Sequence, residues 1–375
     1  MQIAVITTSQ VPSITANSIQ VMKVCQSYRQ LGHDVTLIVP GKKTADWDEI
    51  SKIFGIQTKF TIKYIPTYRV FRRYDFSFCS GLHIFLKNYD LIHTWMPQIA
   101  SIAGFFRKPY IIELHGMPTG KVGPKIYKDI IFSKHKKLFL CITKALKEMY
   151  EKEYGFKFKD SEIQIAPNGV VLEPYLNLPE SAEIKKNLGI NDHFTVVYTG
   201  HLYQGRGMDL LIEIAKNLPE IQFIWVGGRE GDVNQWREYI NKNQIKNIRL
   251  IGFVGNEYIP TYQSAGDVLL MPYEMSIAGS SGGNSVDFCS PMKMFEYMAA
   301  GKPIISSDLP ILHEVLNEKN AIFCPYNDVN QWVDSINRIK NNPAFGLRLG
   351  NQARVDVEKY SWIERAKKSL DGIVK

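Results

Sequence analysis

The feature that most constrains this chain is a recurring unit of apolar run, turn, helix and second apolar run. Its first instance reads QIAVITT, SQVPSITANS, IQVMKVCQSYRQLGH and DVTLIVP. Val21, Val24, Tyr28 and Leu31 recur at helical spacing, and Gly32 ends that helix. Apolar strands joined by helical crossovers predict a parallel sheet with ligands at the strand C-termini. The alternation continues through YDLIHT, PYIIELHG, KLFLCIT and a helix KALKEMYEKEYG to IQIAPNGV, where Pro167-Asn168-Gly169 is turn chemistry. It loosens between about 172 and 190, the expected linker. It then restarts with FTVVYTG, a helix MDLLIEIAKNL, IQFIWVGG, a helix VNQWREYINKN and IRLIGFV. A helix around YIPTYQSAG, the strand DVLLMPY and a last helix SWIERAKKSLDGIV complete the series. The expected organisation is residues 1–175, residues 185–357, and a closing helix over 358–375. The expected architecture is α/β, with two Rossmann-like domains facing each other across a cleft.

Bulk properties narrow the class further. The 375 residues suffice for two domains, and 45% hydrophobic with 22% charged residues suits a globular chain. The five cysteines are scattered, odd in number and without metal-type spacing, so reduced thiols in a cytoplasmic protein are expected. QIAVITT reads as a strand and not as a leader, and no apolar run reaches the roughly 20 residues of a membrane span. The net charge of +8 suits an anionic partner. Nucleic acid is not expected, because no recognisable binding module accompanies the charge. Lys121–Lys128 and Lys134–Lys137 are basic clusters. Both read first as solvated helix faces, with peripheral contact to an anionic membrane as the sharper alternative.

The densest chemistry lies in SSGGNSVDFCSPMKMFEYMAAGKPIISSD. Ser290 is the expected N-cap, Pro291 fits the first helical position, and Gly301 with Pro303 ends the helix. Met292, Phe295, Met298 and Ala299 form its expected buried side, and Lys293 and Glu296 share a face. A glycine-rich loop running into a helix N-terminus with Lys in the first turn suits a phosphate. In this reading the loop from Gly279 to Asn284 closes over the ligand. The competing role for Lys293 and Glu296 is a mutual surface ion pair, worth under about 1 kcal/mol. Glu113 and Glu274 have no partner in the sequence reading, and no acid–base pair, nucleophile triad or metal cluster stands out.

YTGHLYQGRGMDLLIEIA, IRLIGFVGNEYIPTYQSAGDVLLMPY and SPMKMFEYMAAGKPIISSDLPILHEVL resemble, in order and spacing, the retaining glycosyltransferases of the GT-B fold, family 4. GHDVTLIVP, ELHG and IAPNGV in the first half are similar to the same family. The likeness is strongest from Tyr198 to Leu316 and weak from about Trp47 to Phe85. It implies transfer of a sugar from a UDP-, GDP- or ADP-sugar to a carbohydrate or lipid-linked acceptor hydroxyl, with retention of configuration. Neither a metal nor another cofactor is implied. By this resemblance His115, Arg206 and Lys293 are the catalytic candidates. Ala16, Asn17, Gly200, His201, Arg206, Phe253, Ser290, Pro291, Met292, Lys293 and Glu296 are the donor-binding candidates. His201 stands where relatives carry arginine, and Phe288 where they carry the first of two glutamates. A branch with a Ser-Pro-x-Lys-x-Phe-Glu-Tyr helix fits better. Asn17 or Ser18 as a plain helix cap competes with a ligand role. The rival readings are a two-Rossmann dehydrogenase or nucleotide-sugar epimerase, and an inactive binding homologue. SQVPSITANS lacks the G-x-G-x-x-G turn that a dinucleotide enzyme needs.

Overall fold

The computed structural model describes residues 1–71, 73–277 and 284–374. The chain forms two compact units, residues 1–168 with 362–375, and residues 169–361. In the first, the strands are β1 (Gln2–Ile6), β2 (Asp34–Pro40), β3 (Thr61–Ile65), β4 (Leu91–Thr94), β5 (Tyr110–Leu114), β6 (Lys137–Cys141) and β7 (Ile163–Ile165). Its helices are α1 (Ala16–Gln30), α2 (Trp47–Phe54), α3 (Tyr74–Leu86), α4 (Pro97–Phe105), α5 (Gly123–Phe132) and α6 (Lys144–Tyr154). The sheet order is β3-β2-β1-β4-β5-β6-β7, with parallel pairing throughout. β4, β5 and β6 are buried along their whole lengths, as strands covered on both faces must be.

The second unit opens with a 3-10 turn at Glu173–Tyr175 and α7 (Ser181–Asn187). These occupy the stretch expected to be a linker. Lys185 of α7 is buried and donates to Asp267 and to the His193 carbonyl, which fixes the segment to the unit's sheet. The strands are β8 (Thr195–Thr199), β9 (Gln222–Val226), β10 (Ile248–Gly252), β11 (Val268–Met271), β12 (Ile304–Ser307) and β13 (Ile322–Cys324), in the order β10-β9-β8-β11-β12-β13. The helices are α8 (Met208–Asn217), α9 (Glu230–Lys242), α10 (Ile259–Ala265), α11 (Met292–Ala300), α12 (Val329–Asn341) and α13 (Pro343–Asp356). Trp225, Phe223, Leu211, Trp332 and Ile336 belong to one core cluster beside this sheet. β13, α12 and α13 have no counterpart in the sequence reading. Asp328 and Asn342 cap the two helices, accepting from Gln331 and Phe345 N–H groups.

Two local expectations are corrected. α1 starts at Ala16, because Thr15 is extended and its carbonyl takes the Ile19 N–H. Asn17 and Ser18 therefore lie inside the helix and cap nothing. α11 starts at Met292, with Pro291 and not Ser290 as N-cap, since Pro291 has ψ of 126° and only its φ is helical. Met294 and Tyr297 are buried along with Phe295, Met298 and Ala299, whereas Met292 is half-exposed. Gly301 ends the helix in the left-handed conformation, as expected.

The closing helix, α14 (Trp362–Val374), belongs to the first unit. Its Arg365 makes a bidentate ion pair with Glu113 of β5, at 2.8 and 2.7 Å. Arg365 also donates to the carbonyls of Pro167 and Ala166. Burial alone would push the Glu113 carboxyl up, but Arg365 and two histidine contacts hold it well below the usual carboxylate range. Arg365→Met strands a buried carboxylate and is expected to cost about 3–5 kcal/mol in chemical denaturation, whereas the Glu113→Gln/Arg365→Met double variant recovers part of that loss. A carboxyl with a depressed folded-state value stabilises above the unfolded value near pH 4.3, and that contribution fades as pH falls through the folded value. The acid limb of the parent's stability curve is thus expected below about pH 4, and Glu113→Gln flattens it.

Candidate functional site

In a doubly wound sheet the ligand crevice lies where the strand order reverses. In the second unit that point falls between β8 and β11. Gly200 follows β8 with φ of 140°, and a Cβ placed there would stand 2.8 Å from the Lys293 ammonium. At that φ a side chain is strained, and its Cβ would displace the end of the Lys293 side chain. Gly207, the left-handed N-cap of α8, allows the backbone to pass against the Pro272 carbonyl beyond β11. The two strand ends are therefore held in direct contact.

Two cations meet here. The Lys293 ammonium lies 4.0 Å from the Tyr198 ring centroid and 5.3 Å from that of Tyr273. The Arg206 guanidinium lies 5.0 Å from Tyr203 and 5.1 Å from the same Tyr273. Its Nη2 donates to the Tyr203 hydroxyl at 2.9 Å, while its buried Nε has no partner among the described residues. Neither cation has a carboxylate within 4 Å among the described residues. The surface ion pair between Lys293 and Glu296 is not formed. Lys293 also sits in the first turn of α11, where the helix dipole opposes a positive charge. Burial, with Arg206 adding to it, holds the Lys293 ammonium well below the ordinary lysine value. Burial, like-charge proximity and the dipole all oppose a charged Lys293, and a bound anion would offset all three.

Glu296 lies on the next turn of α11. The Gln263 side-chain amide donates to it at 3.4 Å and to the Thr199 hydroxyl at 3.0 Å. Tyr175 donates to the other end of Gln263 at 2.7 Å, and the Tyr297 hydroxyl accepts the Thr199 N–H at 2.8 Å. Glu296 is thereby held by Gln263 one turn beyond Lys293 on the same helix. His201 is not the partly charged group that its sequence position implies. Burial first, then Arg206 and Lys293, push its imidazole down to about 4, so it is neutral at pH 7. It stacks on Tyr203 at 5.1 Å. Ser290, Pro291 and Met292 form the head of α11 beside Lys293. Phe253 is exposed beyond β10, with β9 between that strand and β8. Most of the loop expected to close over the ligand lies outside the described residues. Its flanks are joined by Asn284, whose Oδ1 accepts from the Ile277 N–H at 2.9 Å. Glu274, without a partner in the sequence reading, accepts the Gly207 N–H at 3.2 Å.

In the first unit, His115 follows β5 and is partly exposed. Its Nε2 lies 3.0 Å from Glu113 and 3.1 Å from the Gln20 amide. Glu113 is thus far from partnerless: it binds Arg365, His115 and also His93, whose Nε2 is at 3.1 Å. His93 is fully buried, which lowers its value and keeps it neutral. Its Nδ1 accepts from Tyr28 at 2.8 Å. With Nε2 turned to Glu113, Nδ1 is the His115 atom left for a ligand. Gln20 ties His115 to α1, whose first turn exposes Ala16 and Asn17.

Sequence reasoning missed Tyr198, Tyr203, Tyr273, Gln263 and Tyr175, which form the cation cage and the Glu296 support. The aromatic content of YTGHLYQGRG and LLMPY was the available signal, but only the fold brings those tyrosines onto one pair of cations.

Residues 193–342 match the family model described as glycosyl transferases group 1, and residues 18–174 match that of glycosyltransferase family 4. The chain belongs to the family 4 glycosyltransferases. A relative from Streptococcus pneumoniae, alpha-galactosylglucosyldiacylglycerol synthase, is 30% identical over 166 residues, 42% of this chain and 41% of that protein. The processive diacylglycerol alpha-glucosyltransferase of Acholeplasma laidlawii is 24% identical over 257 residues, 64% of this chain and 72% of its own. The chain thus spans less than half of the first relative and about seven-tenths of the second. Among solved structures, Anabaena HepE in complex with UDP has a TM-score of 0.76 at 14% identity, covering 100% of both chains. That likeness establishes the GT-B fold for this family member.

Binding of a diphosphate is expected to raise the Lys293 value, so a proton is taken up at pH values between its free and bound values. Titration calorimetry at a series of pH values below the ordinary lysine value, in two buffers of different ionisation enthalpy, is expected to reveal that uptake, and Lys293→Met to abolish it.

Proposed function

We propose that the protein transfers a sugar from a nucleotide-sugar donor to a carbohydrate or lipid-linked acceptor, in glycolipid or polysaccharide synthesis. The observation that carries this reading is the part-buried pair Arg206 and Lys293, neither with a carboxylate within 4 Å among the described residues, at the reversal point of the second sheet. Such a site is complementary to a diphosphate, and Arg206 can offer its unpartnered Nε with Nη in a fork. Glu296, on the following turn, accepts from ribose hydroxyls. Neutral His201 donates a hydrogen bond in place of the charge that relatives supply. A UDP-sugar is the first donor to test, because the HepE structure holds UDP.

In this mechanism the anomeric C–O bond to the diphosphate breaks and a C–O bond to the acceptor oxygen forms. The departing phosphate oxygen takes the acceptor proton. Charge grows on the diphosphate as it leaves, and Arg206, Lys293 and the α11 N-terminus stabilise it there. The first unit provides acceptor recognition, and His115, oriented by Glu113, is its polar contributor. Attack occurs on the face the diphosphate vacates, so configuration is retained. No metal ion takes part, so EDTA leaves turnover unchanged. The names of the two glycolipid relatives support a lipid-linked acceptor. A dehydrogenase or epimerase is not favoured, since both halves match glycosyltransferase models.

A melting screen against UDP-, GDP- and ADP-glucose, with NADH as control, is expected to show a rise for one sugar nucleotide and none for NADH. Arg206→Ala and Glu296→Ala are each expected to weaken that nucleotide about tenfold or more with the fold intact, as loss of a charged hydrogen bond does. Parent-like affinity in both variants overturns the site. His115→Ala is expected to lower kcat while leaving nucleotide affinity unchanged, and proton NMR of the product reads the anomeric configuration.

A further inference from the structure

A second surface of the first unit is built for a partner other than the donor. α3 and α4 meet at Gly81, where a Cβ would stand 3.1 Å from Ile102. Beyond that contact they enclose an apolar groove of about 560 Å³, walled by Phe78, Leu82, Phe85, Phe105 and Phe106. Phe106 packs against the rings of Phe85 and Phe105 at 5.1 and 5.3 Å. Phe78, Phe85, Leu86 and Phe105 remain between 63% and 78% exposed. A contiguous apolar face of this kind marks an interaction surface.

Its surroundings are basic. From Lys59 to Lys87 the described residues include five Lys or Arg, namely Lys59, Lys63, Arg69, Arg73 and Lys87, and a single acid, Asp75. Asp75 is occupied, accepting the N–H groups of Tyr68 and Phe76. Arg107 and Lys108 follow α4 directly. Gly104 of α4 packs against His135, where a Cβ would stand 2.7 Å from the imidazole. His135 is flanked in sequence by Lys134 and Lys136, both exposed. Lys137, read from sequence as part of the same cluster, is instead buried in β6. Lys121, Lys125 and Lys128 do form a solvated face at α5.

The charge decides the occupant. A second copy docking by a two-fold axis would set this basic rim against itself. An anionic bilayer matches both parts, with aliphatic chains for the aromatic face and acidic headgroups for the rim. We propose that the α3–α4 face seats the protein on an anionic lipid bilayer, with Phe78, Phe85 and Phe105 entering the acyl boundary. The inference goes beyond the proposed transfer reaction and stands independently of the donor.

The test is co-sedimentation of the full chain with vesicles of phosphatidylglycerol and phosphatidylcholine, or of phosphatidylcholine alone, at about 0.1 M and about 0.5 M NaCl. Binding to the anionic vesicles is expected at the lower salt, and at least about tenfold less on the neutral vesicles or at the higher salt. Phe78→Ser/Phe105→Ser is expected to lower partitioning at least about tenfold with melting temperature and nucleotide affinity unchanged, because both side chains are exposed. Lys134→Glu/Lys136→Glu tests the rim separately and is expected to weaken binding at low salt. Absence of vesicle binding at the lower salt, or parent-like binding in both variants, overturns the proposal. So does a parent dimer in sedimentation equilibrium that Phe78→Ser/Phe105→Ser turns into monomer, which assigns the face to a second copy.

Discussion

Two cationic side chains held side by side and part-buried, with no carboxylate within 4 Å among the described residues, set the terms for the second unit. Placing Lys293 in the first turn of a helix and against Arg206 opposes folding on three counts: desolvation, like charge and dipole. The tyrosine rings of residues 198, 203 and 273 soften that cost through their electron-rich faces, each contact being worth about 0.5–2 kcal/mol. The rest of the local architecture follows from keeping the pair in place. Gly200 leaves space for the ammonium, and Gly207 lets the loop close onto Pro272. Gln263 and Tyr297 tie α10 and α11 to the end of β8. A preorganised cationic site performs no reorganisation when charge develops on a leaving group, which is the condition for electrostatic catalysis.

The first unit uses the opposite arrangement. Its buried carboxylate, Glu113, is fully neutralised by Arg365 and surrounded by His93 and His115. Here burial and compensation are matched, so the network is rigid and the exposed edge of His115 inherits that rigidity. The closing helix is held in this unit by its buried face of Trp362, Ala366, Leu370 and Ile373, and by the Arg365 guanidinium, which reaches β5 and the Ala166–Pro167 carbonyls together.

Much of the fold was legible because parallel strands buried on both faces read as near-continuous apolar runs. β1, β5, β6, β8, β9 and β11 do. The head of α11 was misread by one residue, since Pro291 satisfies φ for a helix while its ψ is free to be extended. α3 and α4 were not legible: YDFSFCSGLHIFL is apolar on both the packed and the exposed sides, which removes the periodic signal of a helix in water. The candidate cations, with Gly200 and Glu296, were legible through the resemblance of their motifs to those of the family. Their cage was not, because Tyr273 is far from Arg206 along the chain and meets it only at the strand reversal. The partner of Glu113 was hidden more deeply still, 252 positions away. The neutral state of His201 was equally invisible, as it arises from burial beside two cations.

The account turns on what fills the space in front of Arg206 and Lys293. A crystal structure of the protein grown with UDP tests this most directly. Density for the two phosphates within hydrogen-bond distance of the Arg206 Nε and the Lys293 ammonium, with ribose oxygens on Glu296, is the result predicted. Well-ordered UDP elsewhere in the second unit, with both cations left without an anion at saturating nucleotide, contradicts it.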